Sequence, residues 1–319
     1  MAFRVIRHTS EIPADFGPCS LTIGNFDGVH AGHRELMKKV VANSKKRGNW
    51  RPSVLTFDPH PARVLAPDRS PHLLTSLEQR LALIQSERIE QVFVLPFTAQ
   101  VAALSPEEFV KHLIVDRLKA RYVAVGDNFR FGAKQSGDAA LLAQLGERYF
   151  FRTEAVPAIQ YRGAVVSSSE IRRLIAAGEM NTANRMLQRP YGIEGRVVAG
   201  YGVGSKQTVP TLNLDTPAEI IPATGVYITR TWDMNSLRQW KSVSNIGYRP
   251  TFDDTGSRLS IETFLLSQFD GNAPAEIRVE FLQRIREERK FASPELLRQQ
   301  ILKDVRRAEN YFARAERMH

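Results

Sequence analysis

The first half of the chain alternates short apolar runs with helical patterns. Runs of strand length predict β-strands at residues 21–23, 53–57, 91–95 and 122–125. Alternation of this kind is typical of a mostly parallel sheet with helices on both faces, whose ligands bind at the carboxyl ends of the strands. We therefore expect the residues that follow each apolar run to carry the chemistry.

Three helices in this half have clear signals. The first has Gly48 as its stop and an apolar face made of Leu36, Met37, Val40 and Val41. The second is predicted over residues 76–88. The third opens with Ser105 as cap, Pro106 in the first turn and Glu108 three residues after the cap. Its expected apolar face comprises Phe109, Val110, Leu113 and Ile114.

The pattern changes after about Asn181. Short β-rich runs separated by turn residues follow at 193–199, 226–232, 240–245, 260–267 and 276–282, as is typical of an antiparallel barrel. The chain closes with a long helix that opens at residues 293–295. Its expected packed side comprises Leu296, Leu297, Ile301, Val305, Ala308 and Phe312. We predict an α/β domain over residues 1–184 and a barrel domain with a C-terminal helix over residues 185–319.

Composition narrows the function classes. Lys and Arg number 44 against 34 Asp and Glu, a formal net charge of +10 that suits anionic ligands such as nucleotides. Nucleic-acid binding is the competing class, but the basic residues are scattered and no RNA-binding motif is present. The single cysteine, Cys19, excludes an internal disulfide and fits a reducing cytoplasm. No run resembles a signal peptide or a membrane span, so we expect a cytoplasmic protein without a membrane partner.

The turn at residues 24–33 joins an apolar strand to the first helix. Its candidate ligand residues are Gly24, Asn25, Phe26, Asp27, Gly28, His30 and His33. Glycines let backbone amides approach a ligand, and a helix N-terminus favours anions. His30 and His33 are three residues apart and are expected to point the same way. The turn therefore favours a site that holds a triphosphate for adenylyl transfer, with a zinc pair or two surface histidines as the alternative.

Two further segments carry candidate ligands. Residues 126–132 follow a predicted strand, and in this segment Asp127, Asn128 and Phe129 are candidates. Phe129 and Phe131 could wall a flat ring, although at least one is expected to be core. In the serine-rich segment 166–172, Ser168 or Ser169 would cap a helix, so that Arg172 faces the same anion one turn later. An ordinary capped helix is the alternative.

The second half has its own candidates. Thr211 and Asn213 are two residues apart, so on a strand they share a face and can jointly bind Mg²⁺ or phosphate. Glu262 follows about fifty residues later, where a solvated outward glutamate is the alternative. Before them, the candidates of a glycine-rich flap are Gly200, Gly202, Gly204 and Lys206.

In order and over nearly the whole chain, these segments, with residues 56–61, 245–252 and 285–291, resemble the bacterial bifunctional riboflavin kinase/FAD synthetase family. That family phosphorylates riboflavin to FMN and then adenylylates FMN to FAD. The resemblance implies a Rossmann-like nucleotidyltransferase domain followed by an antiparallel Greek-key β-barrel with a C-terminal helix. It also implies ATP as co-substrate, FMN and FAD as substrate or product, and Mg²⁺ as a charge-neutralising bridge.

The resemblance implies roles for single residues. His30 and His33 would contact the ATP phosphates above a pocket floor shaped by Gly24, Asn25 and Gly28, and Asp27 could simply brace the turn. Arg172 would neutralise the departing pyrophosphate. Glu262 would be the general base that takes the proton of the riboflavin ribityl hydroxyl as its oxygen attacks the γ-phosphorus.

The second half also departs from the family pattern. Ser205 and Thr208 stand where the family usually has arginine and glycine, with Lys206 as a substitute charge, and residues 272–274 replace an aromatic-glycine pair. An FMN adenylyltransferase with a weak or inactive kinase domain is therefore the first alternative, and a flavin or nucleotide sensor is the second. We expect the small molecules riboflavin, FMN, ATP, FAD and pyrophosphate as partners, no nucleic acid, and a monomer or weak homo-oligomer.

Overall fold

The computed structural model describes residues 3–198, 211–250, 257–267 and 273–317. Residue contacts divide the chain into two compact units, Met1–Ser168 and Ser169–His319. The predicted boundary between residues 184 and 185 stays a prediction. Across the described residues, every helix is too short or too polar to serve as a membrane span.

The first unit is built on a six-stranded parallel sheet. In chain order its strands are β1 (Arg4–Ile6), β2 (Cys19–Ile23), β3 (Arg51–Asp58), β4 (Gln91–Pro96), β5 (Ala120–Gly126) and β8 (Arg152–Val156). Their spatial order is β1-β4-β3-β2-β5-β8. Two small antiparallel pairs are β6 (Arg130–Phe131) with β7 (Gly137–Asp138), and β9 (Gln160–Tyr161) with β10 (Ala164–Val165). Hydrophobic clusters cover both faces of the large sheet, which is why its central strands read as continuous apolar runs.

Helices connect these strands. They are α1 (Ala31–Arg47), α2 (Pro61–Leu65), α3 (Leu77–Ser86), α4 (Ala99–Ala103), α5 (Pro106–Glu108) and α6 (Ala139–Arg148), with short 3₁₀ turns at Thr9–Glu11, Pro67–Arg69 and Ala133–Gln135. Gly48 ends α1 with a φ of 76° and a backbone hydrogen bond to Ser44, as predicted. Ser105 and Glu108 form the predicted capping box, but the next nine residues, Phe109–Arg117, form a π-helix.

The second unit is a closed antiparallel barrel. Its strands are β11 (Tyr191–Val198), β12 (Thr211–Asp215), β13 (Gly225–Asp233), β14 (Gln239–Pro250), β15 (Ser257–Leu265) and β16 (Glu276–Arg286), in the order β11-β12-β15-β14-β13-β16. Strands β13, β14 and β15 form a meander, and β12 lies beside β15, which is Greek-key topology. The helices α7 (Ser168–Ala176) and α8 (Met180–Leu187) precede the barrel, and α9 (Pro294–Arg317) follows it. The predicted fold class is confirmed.

Helix α9 corrects one prediction. Ala308 and Phe312 are buried as expected, but Leu296, Leu297 and Ile301 are 40–48% exposed. The prediction that these three belong to the packed side is wrong. The reason is that the first turns of α9 border an open cavity, which Leu297 and Ile301 line.

Candidate active sites

The turn between β2 and α1 brings the two predicted histidines together. His30 caps α1, and its Nδ1 accepts a hydrogen bond from the backbone N–H of His33 at 3.4 Å. The two imidazole rings stack with centroids 3.6 Å apart and planes 18° apart. The edge of the Phe26 ring contacts the His33 ring at 5.1 Å between centroids. The prediction that the histidines point the same way is confirmed.

The backbone of this turn is strained. Phe26, Gly28 and Val29 all have positive φ angles, of 51°, 77° and 37°. A left-handed conformation is unfavourable for residues other than glycine and persists only where the surroundings hold it. Phe26 and Val29 are fully buried, so core packing holds them. Any contact between Phe26 and a nucleotide therefore has to come from its backbone.

Asp27 braces the turn. Its carboxylate accepts backbone hydrogen bonds from Leu74 at 2.9 Å and from Thr75 at 3.2 Å. The backbone N–H of Gly28 donates to the Thr75 hydroxyl at 3.1 Å. Asp27 is buried, and these contacts attach the turn to the segment that opens α3. This agrees with the bracing role that the sequence left open for Asp27.

The segment 56–61 lies against the same turn. The Nδ2 atom of Asn25 is 3.0 Å from Nε2 of His60, whose Nδ1 caps the N-terminus of α2. Arg80 donates to the backbone carbonyls of Asn25 at 2.8 Å and of Phe57 at 3.2 Å. The sequence analysis missed Arg80. One signal could have found it: a charged residue on the apolar face of α3, between Leu77 and Ile84 at helical spacing.

A cavity of about 920 Å³ opens beside this turn. The predicted binding residues Gly24, Asn25, Asn128 and Phe129 line it. Its other aromatic lining residues are Phe57, Phe97, Phe109 and Phe131. Phe129 and Phe131 stack at 5.4 Å, and Phe131 is also buried in the core, as expected for one of the pair. Such walls suit a flat aromatic ligand.

Other predicted residues lie away from the lining of this cavity. His30, His33 and Asp127 are not among the residues that line it. The Asp127 carboxylate accepts a hydrogen bond from the backbone of Ala158 at 3.4 Å. Their roles in nucleotide binding stay predictions.

The serine-rich segment differs from its prediction. Helix α7 begins at Ser168, so Ser168 and Ser169 lie in its first turn, and the prediction that either one caps it is wrong. The Ser168 hydroxyl donates to the Asp27 carbonyl at 2.9 Å, and Nη1 of Arg172 donates to the Ser169 hydroxyl at 3.5 Å. The assignment of these residues to phosphate binding stays a prediction.

The barrel unit aligns the second set of predicted residues. Glu262 on β15 pairs in register with Asn213 on β12 and with Asn245 on β14. Side chains directly opposite one another across antiparallel strands share a face. Thr211 lies two residues before Asn213 and therefore on that same face. The structure thus brings Thr211, Asn213 and Glu262 to one face of the barrel, and Asn245 joins them.

A cavity of about 830 Å³ lies on this face, between the barrel and α9. Thr211, Asn245 and Glu262 line it, and Asn213 does not. Its other lining residues include Arg286 at the end of β16, and Arg289 and Phe291 in the segment that joins β16 to α9. The Arg286 guanidinium donates to the buried Asp304 carboxylate at 2.9 Å, which ties α9 to β16.

The donor atoms near Glu262 fit a hard cation. A threonine hydroxyl, an asparagine side-chain oxygen and a carboxylate all present oxygen atoms, the type of ligand that Mg²⁺ binds. Among the described residues, no cluster of three or more His, Cys, Asp or Glu side chains could hold a metal ion. The flap candidates Gly200, Gly202, Gly204 and Lys206, and the departures at Ser205, Thr208 and Asn272, lie outside the described residues.

The chain thus joins a Rossmann-like α/β unit to a closed Greek-key barrel, and each unit has its own cavity. A family model described as FAD synthetase matches residues 12–170, and one described as riboflavin kinase matches residues 187–312. The chain is 34% identical over 309 residues to the bifunctional riboflavin kinase/FMN adenylyltransferase of Escherichia coli K12, covering 97% of both proteins. It is also 34% identical to the protein of that description from Pseudomonas fluorescens, covering 95% of this chain and 96% of that one.

The chain belongs to the bifunctional riboflavin kinase/FMN adenylyltransferase family. Both domains are present, so the predicted bifunctional enzyme is confirmed and the alternative of an inactive kinase half is not favoured. A crystal structure from Streptococcus pneumoniae described as a macrolide-efflux protein has a similar fold. Its TM-score is 0.84 at 25% identity, and the match covers 97% of this chain and 99% of that one.

Proposed function

We propose that the barrel transfers the γ-phosphoryl group of ATP to riboflavin, and that the α/β unit transfers the adenylyl group of a second ATP to the FMN so formed. One observation carries this proposal: each unit has its own large cavity, and each cavity is lined by residues of its own predicted site. Gly24, Asn25 and Asn128 line the first cavity, and Thr211 and Glu262 line the second.

In the barrel, Glu262 acts as the general base. Its carboxylate accepts the proton of the ribityl terminal hydroxyl while that oxygen attacks the γ-phosphorus, the bond to the β-phosphate oxygen breaks, and ADP leaves. Glu262 lies on β15, paired on one side with Asn213 of β12 and on the other with Asn245 of β14. This place within the sheet supports a fixed position for the carboxylate. Thr211 and Asn213 would hold Mg²⁺, which supplies charge neutralisation on the phosphates when bound.

In the α/β unit, no base is needed at the nucleophile. An oxygen of the FMN phosphate attacks the α-phosphorus of ATP, the bond to the β-phosphate oxygen breaks, and pyrophosphate leaves. His30 and His33, stacked at the N-terminus of α1, would bind the phosphates and stabilise the charge that develops there. The cavity with the aromatic walls would take the isoalloxazine ring, and Asn128 would hydrogen-bond its edge.

The same reasoning extends to partners and location. Nucleotides and flavins account for the net charge of +10 without a nucleic-acid partner. The single thiol, Cys19, is buried, and burial raises its pKa to about 12, so it stays protonated and unreactive. The unreactive thiol fits a reducing cytoplasm, and we propose that the enzyme works there as a monomer or weak homo-oligomer.

The test assays both reactions on the full chain. Incubation with riboflavin and MgATP, followed by chromatography, should yield FMN and then FAD. His33→Ala should abolish FAD formation while FMN accumulates, because the anchoring of the ATP phosphates is lost and the barrel site is untouched. Glu262→Ala should stop FMN formation and leave FAD formation from added FMN intact. Loss of both activities in each single variant would contradict the two-site assignment.

A further inference from the structure

We propose that Arg80 is a positioning residue of the adenylyl-transfer site. It fixes the turn after β2 and the carboxyl end of β3 against each other, so that the cavity keeps the shape needed for FMN and ATP to meet. This inference rests on the proposed FMN adenylyltransferase activity of the first unit and assigns a role to a residue on α3, outside the sequence motifs.

The contacts of Arg80 reach two neighbouring strand ends. Nη1 donates to the carbonyl of Asn25, which follows β2, and Nη2 donates to the carbonyl of Phe57 at the end of β3. Nη2 also lies 3.8 Å from the Asp58 carboxylate. The planar fork of arginine suits it to hold two fixed acceptors at once, which a lysine ammonium cannot do with the same geometry.

Burial makes this arrangement costly. The side chain of Arg80 is 3% exposed, and its Nε is buried without a hydrogen-bond partner among the described residues. Desolvation lowers the pKa of Arg80, and the carboxylates of Asp27, Asp58 and Glu78 oppose that shift. An arginine on the apolar face of a helix replaces what would otherwise be hydrophobic packing. A specific positional task explains why a charged group stands there.

The two segments that Arg80 joins are the ones that form the site. Asn25 and Phe57 line the cavity, and the side chain of Asn25 contacts the His60 imidazole at 3.0 Å. The Asn25 carbonyl also accepts the Thr56 hydroxyl at 3.2 Å, so three side chains converge on this one residue. Ligands bind at the carboxyl ends of parallel strands, and β2 and β3 are adjacent. A shift of either strand end therefore moves the reacting groups.

The test compares Arg80→Met, Arg80→Lys and Arg51→Met in the full chain. Arg51 lies at the opposite, amino end of β3, where it pairs with Asp15 at 3.1 Å, and it serves as the matched control. A displacement of about 1 Å at a reacting centre costs roughly 100-fold in rate. We expect Arg80→Met to lower kcat for FAD formation by about that factor, with KM for FMN changing much less. Arg80→Lys should recover part of the loss, and Arg51→Met should keep wild-type kcat.

The riboflavin kinase reaction of the same molecules serves as an internal control for folding, and it should be unchanged in all three variants. Wild-type kcat for FAD formation in Arg80→Met would overturn the inference. Equal loss of both activities in Arg80→Met and Arg80→Lys would also overturn it, since that indicates a general role in folding. If the unmodified chain makes FMN but no FAD, the proposed adenylyltransferase function itself fails, and this inference fails with it.

Discussion

At the turn between β2 and α1, the residues that point toward the helix start differ from those that hold the turn in place. The two imidazoles stack at the helix start, the Asp27 carboxylate binds the backbone of Leu74, and the edge of the Phe26 ring packs against His33. The left-handed φ angles of Phe26 and Val29 show that the turn is maintained by its surroundings and not by local preference. Residues that never touch a ligand can therefore control this site.

The contacts of a single residue, Glu154 on β8, offer a test of protein stability. Its carboxylate bonds Lys39 at 3.0 Å and the Tyr122 hydroxyl at 2.9 Å, and the Lys39 hydrogen bond is the main cause that lowers the pKa of Glu154. A lowered folded-state pKa contributes stability above the unfolded-state pKa, and this contribution is lost as the pH falls through the folded-state value. Glu154→Gln should lower the free energy of unfolding by about 1 kcal/mol at pH 7.

Urea unfolding at neutral pH and at about pH 3, below the ordinary glutamate range, measures this effect. The difference in the free energy of unfolding between wild type and Glu154→Gln should be smaller at the acid pH. Glu147→Gln, at an exposed position on α6, serves as the control and should change little at either pH. An equal difference at both pH values would rule out the ionised carboxylate as the source of the added stability.

At the scale of elements, the barrel interior is held by a chain of hydroxyl groups. Five fully buried side chains on β13, β14 and β15 bond in sequence, with oxygen separations of 2.8–2.9 Å: Thr231, Ser242, Thr229, Ser244 and Thr263. A hydroxyl group both donates and accepts hydrogen bonds, so each of these five hydroxyls has a partner in the series. The bonds fix the register of three strands. Thr263 lies between Glu262 and Phe264, both of which line the cavity of the barrel unit.

Breaking this chain should destabilise the barrel. Ser244→Ala removes the link between Thr229 and Thr263, and leaving a buried hydroxyl without its partner costs about 1–3 kcal/mol. Urea unfolding of the full chain measures the loss. Ser260→Ala is the matched control, because Ser260 makes one 3.3 Å bond to the Gly247 carbonyl and is only partly buried. If both variants lose the same stability, the series of bonded hydroxyl groups has no special role.

Much of the element order could be predicted from sequence, because strand-length apolar runs and capping signals are local. Strands β1 and β8 were missed: β1 has three residues, and most of β8 is polar and partly exposed. The nine-residue π-helix after the Ser105 capping box was also missed, because the sequence pattern was interpreted with the 3.6-residue period of an α-helix. The burial of the first turns of α9 was predicted wrongly, because apolar side chains that line a cavity have the same helical spacing as side chains in a core.

At the scale of the whole molecule, the two reactions belong to two compact units with separate cavities. Sequence motifs predicted site residues for both units, but they could not reveal Arg80 or the alignment of Asn213, Glu262 and Asn245, because those depend on contacts between distant segments. Strand register and burial only become visible in three dimensions.

Separate sites predict complementation between variants. Equal amounts of His33→Ala and Glu262→Ala should together convert riboflavin to FAD, because the first makes FMN and the second consumes it. A lag during which free FMN accumulates should precede FAD in a chromatographic time course. Each variant alone, as the control, should make no FAD from riboflavin. A mixture that forms none would show that both sites must be intact within one chain.

The covalent union of the two units fixes a ratio. Every translated copy delivers one vitamin-phosphorylating centre and one dinucleotide-forming centre, so gene expression cannot change the supply of one catalyst against the other. The balance between the mononucleotide and dinucleotide pools must then follow from turnover rates, product inhibition and the demand of the flavoproteins that withdraw each cofactor.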